Sequence, residues 1–276
     1  KSEKFLPRIS GLKKLRLDLR NSEKLQDIEA KLGKDLFNSL SHYTGLESLF
    51  LRCNGTLLVS VINGISALKS LKEVHLISWS VSSDFLQRNL SKVLPNLTEL
   101  KSICLEFPNN EDRATPKGMV CFFNSISGLK HLKNLSITYN SCQLNDECLQ
   151  ALSTLLRTLS LRHLTLIFEK HQQRFSDNGI KEFARALRKQ RSLSHLELKF
   201  GSSEVGKSLL SLFAIIVKRL RTYNVKVEFY DCYKLKEAIK TEVCNLVSKS
   251  AYSKKWRIGL PEPPGKCEQI LEGAYY

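Results

Sequence analysis

Apolar residues recur along this chain in a short alternating phrase, Leu-x-x-Leu-x-Leu, about once every 30 residues. It reads Leu12-Lys-Lys-Leu15-Arg-Leu17, Leu46-Glu-Ser-Leu49-Phe-Leu51 and Leu71-Lys-Glu-Val74-His-Leu76. It continues as Leu100-Lys-Ser-Ile103-Cys-Leu105, Leu132-Lys-Asn-Leu135-Ser-Ile137, Leu161-Arg-His-Leu164-Thr-Leu166 and Leu193-Ser-His-Leu196-Glu-Leu198. An eroded eighth copy ends in Val227-Glu-Phe229. Alternation within each phrase predicts a short strand with one buried face. Between phrases the spacing turns helical: Leu25, Ile28, Leu32, Leu36, Leu40; Leu86, Leu90, Val93, Leu94; Cys148 to Arg157; Ile180, Phe183, Ala184, Leu187. A strand and then a helix in each unit predicts parallel strands on one side and helices on the other. Helices are wider than strands, so the stack must curve, with the strands on the concave side. A solenoid of this kind works by presenting a surface.

On these residues the chain resembles a leucine-rich repeat protein of the ribonuclease-inhibitor-like subclass, whose pattern is L-x-x-L-x-L-x-x-N/C. Two copies match in full, Leu46 to Asn54 and Leu132 to Asn140, and the eroded copy brings Cys232 to the same point. Trp79, Glu169 and Gly201 stand there in other copies, so the array is degenerate. The resemblance implies an α/β horseshoe with an inward Asn or Cys that bonds loop backbone between neighbouring repeats. It is specific for fold and not for function.

The expected organisation is a solenoid of about eight irregular repeats over residues 1–232, a capping helix over 233–250 and an extended tail over 251–276. The capping helix rests on the stripe Leu235, Ile239, Val243, Leu246 and Val247. The tail is rich in Pro and Gly and shows no period. Only eleven residues precede the first phrase, and the chain begins at Lys1, which raises the expectation of an upstream cap or domain.

The longest apolar run, Leu209 to Val217, is too short to cross a bilayer and suits a buried helix, so no membrane insertion is expected. The eight cysteines form no Cys-x-x-Cys pair, and no His-x3-His cluster accompanies them. That spacing argues against zinc and for buried thiols in a reducing compartment, most simply the cytoplasm.

The net charge is +16. The third, fifth and seventh positions of each phrase should point out of the concave sheet. There Lys14, Arg16, Arg52, Lys199 and Lys226 balance Asp18, Glu73, Glu106, Glu197 and Glu228. The excess charge must lie elsewhere. Residues 170–226 hold thirteen Lys/Arg against four Asp/Glu. Lys181, Arg185, Arg188, Lys189 and Arg191 fall on one predicted helix, and Lys218, Arg219 and Arg221 on the next. This predicts a basic ridge suited to an acidic partner. Aromatic residues do not interleave with it, so nucleic acid is not favoured.

No phosphate loop, nucleophile elbow or His-Glu-x-x-His helix is present. His163 and His195 share a repeat position, and a metal or acid–base pair there competes with a plain interaction patch, which is favoured. The concave face carries apolar residues that a solvated sheet does not need: Phe50, Ile77 and Ile167, with Trp79 and Tyr230 beside them. Candidate partner contacts are therefore Arg16, Phe50, Arg52, His75, Ile77, His163, Ile167, His195 and Lys199 on that face, together with the ridge. No cofactor is expected. The reading is a non-enzymatic scaffold that holds other protein subunits, at least one of them acidic. The alternatives are a polyanion- or RNA-binding subunit and a substrate-recognition subunit of a ubiquitin ligase.

Overall fold

The computed structural model describes residues 11–19, 40, 42–79, 85, 89–108, 114–140, 144–168, 175–200, 210–212, 214–215, 224–229, 241–245, 256–259 and 270–272. Its strands are β1 (Lys14–Asp18), β2 (Ser48–Asn54), β3 (Glu73–Trp79), β4 (Ser102–Phe107) and β5 (Asn134–Tyr139). They continue as β6 (His163–Phe168), β7 (His195–Phe200), β8 (Asn224–Phe229), β9 (Trp256–Gly259) and β10 (Ile270–Glu272). All ten form one sheet in chain order. Every pair from β1 to β9 is parallel, and β10 returns antiparallel against β9. Among the described residues, four helices of three to four turns lie between strands: α1 (Gly55–Ile65), α2 (Pro116–Ile126), α3 (Asp146–Thr158) and α4 (Asp177–Leu187). The unit between β3 and β4 ends in a one-turn helix, Ser91–Val93, that tightens into a 3-10 turn at Leu94–Asn96. The fold is a leucine-rich repeat solenoid of the α/β kind, with a parallel sheet on one side and helices on the other.

The phrases register rung for rung. One inward row runs Leu15, Leu49, Val74, Ile103, Leu135, Leu164, Leu196, Val225. From Leu49 onward it is buried, as is the next row from Leu51 through Leu76, Leu105, Ile137, Leu166 and Leu198 to Val227. A third row closes the strand ends with aromatic rings. Phe107 packs on Tyr139 with centroids 5.2 Å apart, and Phe168 stacks on Phe200 at 6.0 Å. Such pairs contribute roughly 0.5–1.5 kcal/mol beyond their burial. On the helix side, Ile180, Phe183, Ala184 and Leu187 complete the core at zero exposure.

Each of α1 to α4 is started by a side chain. Asn54, Thr115, Asn145 and Ser176 accept from the N–H of Leu57, Gly118, Cys148 and Gly179. Each cap is worth about 1 kcal/mol. Asn54 therefore serves as a half-buried helix cap at the position where the repeat pattern calls for Asn.

Other expectations need correction. The eighth strand pairs Val225 with Leu196 and Val227 with Leu198, so its outward residues are Asn224, Lys226 and Glu228, one step earlier than the phrase suggests. A two-residue slip keeps every inward residue inward, so alternation cannot detect it. Tyr230 lies outside the described residues. The 251–276 tail is not simply extended: two of its segments, β9 and β10, prolong the sheet. Of the expected capping helix, residues 241–245 are described, and they are helical with Val243 buried.

Candidate interaction surface

The sheet register brings the outward residues into three rows. The row of fifth positions runs Arg16, Phe50, His75, Cys104, Ser136, Thr165, Glu197, Lys226. At its start the guanidinium of Arg16 lies over the Phe50 ring, 4.0 Å from the centroid. The Phe50 ring meets His75 edge-on at 4.8 Å. A cation, a benzene ring and an imidazole thus stack across three adjacent strands. Contacts of this type are individually worth roughly 0.5–1 kcal/mol at exposed sites.

Beyond His75 the row becomes chemical. His75 Nε2 lies 2.9 Å from Glu106 Oε1, and Cys104 Sγ lies 3.6 Å from the same oxygen. Contacts to Cys104 and then to Glu106 push the His75 imidazole up to about 9. The same contact with His75 lowers Glu106, helped by the charge of Arg52. Arg52 is half-buried, and its Nε is buried without a hydrogen-bond partner. One ligand atom each from His75, Cys104 and Glu106 falls within 4.8 Å of the others, a set that could hold a metal ion.

His163 and His195 do come together, with ring centroids 5.9 Å apart. His163 is bound through Nδ1 to Asn134 Oδ1 at 2.7 Å, and His195 Nε2 stands 4.0 Å from Glu197. Burial lowers the pKa of His195, which keeps it neutral near pH 7. At β7 and β8 the face neutralises itself. Lys226 bridges Glu197 at 3.1 Å and Glu228 at 3.4 Å, and Lys199 reaches Glu228 at 3.5 Å. Lys199 therefore serves an internal network. Ile167 is half-buried, but Ile77 is 9% exposed and offers no anchor. On its own face it stands between its cross-strand partners Arg52 and Glu106.

The residues expected to form the ridge fall as follows. Lys181, Arg185, Arg188, Lys189 and Arg191 are all exposed. They do not share one helix, because α4 ends at Leu187 with Arg188 as its C-cap. Lys189 and Arg191 lie in the turn that enters β7. Arg185 is held by Glu182, which also binds Arg157 at 2.9 Å. Lys218, Arg219 and Arg221 lie outside the described residues.

A second basic feature stands on the rim where helices end and strands begin. Lys72, Lys101, Lys133 and Arg162 occupy the second position of successive phrases. Each carbonyl among them accepts two N–H groups from the next repeat; Lys101 O, for example, takes Lys133 N at 2.9 Å and Asn134 N at 3.0 Å. The four cations are therefore set at strand spacing, about 4.8 Å per step. Lys72 is engaged by Glu47, which sits between it and Lys13 at 2.6 and 2.9 Å and is lowered to about 2 by the two lysines. Lys101 and Arg162 are exposed, and Lys130, Arg188, Lys189 and Arg191 add to the same edge. The signal was in the sequence: the residue after each first leucine is Lys or Arg in five of the seven clear phrases.

No family model matches the sequence, and no curated protein matches it. Among solved structures the chain is similar to the protein in a crystal structure of the Rad7 and Elc1 complex in yeast, at 14% identity and a TM-score of 0.45. That alignment covers 76% of this chain and 57% of the other. It is also similar to an internalin from Listeria monocytogenes, at 13% identity and a TM-score of 0.39, covering 83% of this chain and 64% of that one. The chain thus spans less than two thirds of the length of either. Likeness at this level concerns the arrangement of strands and helices and carries nothing about what is bound.

Proposed function

We propose that the chain is a non-enzymatic protein–protein interaction scaffold, a subunit of a larger intracellular assembly. The observation that carries this reading is the Arg16–Phe50–His75 stack on the open sheet face. An aromatic anchor flanked by a cation is the composition of an interface centre, where truncation costs most. The basic rim and the exposed ridge residues supply the second contact, to a partner with an acidic surface. The repeats are of the ribonuclease-inhibitor-like subclass, a reading supported by α1, α2, α3 and α4 between successive strands. An intracellular setting is supported by Cys104, Cys121 and Cys148, none of which is in a disulfide. No helix among the described residues is long and apolar enough to cross a membrane.

The test is partner capture with two variants. Phe50→Ala should weaken a captured protein complex by roughly tenfold or more with little change in salt dependence, as loss of an interface anchor does. The triple change Lys101→Glu, Lys133→Glu, Arg162→Glu should weaken it steeply and flatten its salt dependence. Loss of RNA binding in the triple variant, with no protein partner affected by either change, would replace this reading with the polyanion one. Saturable turnover by the purified chain, abolished by His163→Ala or His195→Ala, would overturn the non-enzymatic reading.

A further inference from the structure

We propose that His75, Cys104 and Glu106 form a zinc-binding site on the concave sheet. The geometry comes from the backbone. His75 and Cys104 are direct cross-strand partners on β3 and β4, and Glu106 follows two residues along β4 on the same face. Parallel strands about 4.8 Å apart, with alternate side chains about 6.6 Å apart along a strand, bring three such donors to one point without any loop. His75 Nε2 to Glu106 Oε1 is 2.9 Å, Cys104 Sγ to Glu106 Oε1 is 3.6 Å, and all three atoms lie within 4.8 Å of one another. Tetrahedral zinc with bonds of ~2.0–2.3 Å requires N···O of ~3.4 Å and S···O and S···N of ~3.6 Å. Shifts of about 1 Å or less in three side chains would meet those values, and the strands need not move.

The donor types select the metal. A thiolate, an imidazole and a carboxylate form a mixed set of intermediate softness that suits zinc rather than calcium or magnesium. Thiolate and carboxylate together carry two negative charges, which a divalent cation neutralises. Three protein ligands leave the fourth tetrahedral position open, where water can bind. Among the described residues this is the one such group of three. The His163–His195 pair suggested by the sequence is different, because His163 is already bonded to Asn134 and Glu197 to Lys226. Zinc-ligand spacing in the sequence gave no warning of the trio, since its members come from two repeats 29 residues apart at the matched position.

The experiment uses the full chain, stripped with a chelator and dialysed, then titrated with Co²⁺ and afterwards with Zn²⁺. The expected result is one Co²⁺ per chain with four-coordinate visible bands and a thiolate charge-transfer band, all displaced by one equivalent of Zn²⁺. Cys104→Ser should abolish the charge-transfer band, and His75→Ala should weaken binding by more than the roughly 10–100-fold that outer-shell changes cost. Cys121→Ser, in a half-exposed cysteine elsewhere, should change nothing. Circular dichroism of each variant establishes that it is folded; should Cys104→Ser fail to fold, Glu106→Gln replaces it, retaining the band with weakened affinity. Absence of stoichiometric binding, or a charge-transfer band that survives Cys104→Ser, would overturn the site.

Discussion

Gln190 reaches back across one repeat to Leu161: its Oε1 accepts from the Leu161 N–H at 2.9 Å. Its Nε2 donates to Leu159 O at 2.8 Å and also to Leu156 O. Gln190 is 4% exposed, so one buried side chain satisfies three backbone groups at the turn between α3 and β6. Gln190→Leu keeps the volume and strands all three. The expected loss is about 1–3 kcal/mol, the cost of leaving buried polar groups unpaired. Urea denaturation followed by circular dichroism measures it, and a loss under half a kilocalorie would show that water replaces the amide.

Asp146 and Gly179 touch in the same way between α3 and α4. Asp146 Oδ1 accepts from the Ser176 N–H at 2.8 Å. A Cβ built on Gly179 would stand 2.1 Å from that oxygen. Gly179→Ala should therefore destabilise by roughly 1–3 kcal/mol, as overpacking does. Asp146→Ala in the same chain should cost less than the two changes summed, because the clash partner is gone. Strict additivity in the double-mutant cycle would refute the contact.

His75 makes stability depend on pH. Its folded pKa of about 9 lies above the usual 6.5, so the folded state binds the proton more tightly. The contribution is fully present below pH 6.5 and is lost as pH rises through about 9. In the metal-free chain, Glu106→Gln should bring the His75 titration, followed by NMR, part of the way back toward 6.5, since the contact with Cys104 raises it too. His195 runs the other way: its pKa is lowered by burial, so the unfolded chain protonates first and stability falls as pH drops below 6.5. A His75 resonance that titrates near 6.5 in the unaltered, metal-free protein would refute the ion pair.

Leu49→Asp and Leu135→Asp should each unfold several repeats. Both residues are 1% exposed in the inward row, and an unpaired buried carboxylate costs several kcal/mol. Because each unit is supported only by its neighbours, the damage should spread along the stack. A thermal melt unchanged from the unaltered protein would refute the strand register.

Seven of the strands were legible because Leu12, Leu46 and their counterparts repeat an alternation that only a one-sided sheet explains. The eighth was legible in type but not in register, since a slip of two at Val225 and Val227 leaves the burial pattern intact. β9 and β10 were not legible: four and three residues are too few to show a period. The stack at Phe50 could be read in part, as Phe50 and His75 share a repeat position. The grouping of Cys104 and Glu106 with His75 could not, because it depends on which way three side chains turn above a common face.

Sheet order equals chain order, so distance along the sequence converts to distance in space. From Phe50 on β2 to Arg191 at the entry to β7 the chain takes five steps of the sheet, roughly 24 Å at about 4.8 Å per step. An extended peptide covers that span in about seven residues at 3.3–3.6 Å each. The solenoid thus acts as a ruler. A partner that engages both the aromatic anchor and the basic turn must carry its apolar side chain and its acidic cluster at that separation, and deleting one repeat between β3 and β6 would shorten the required spacing by one strand.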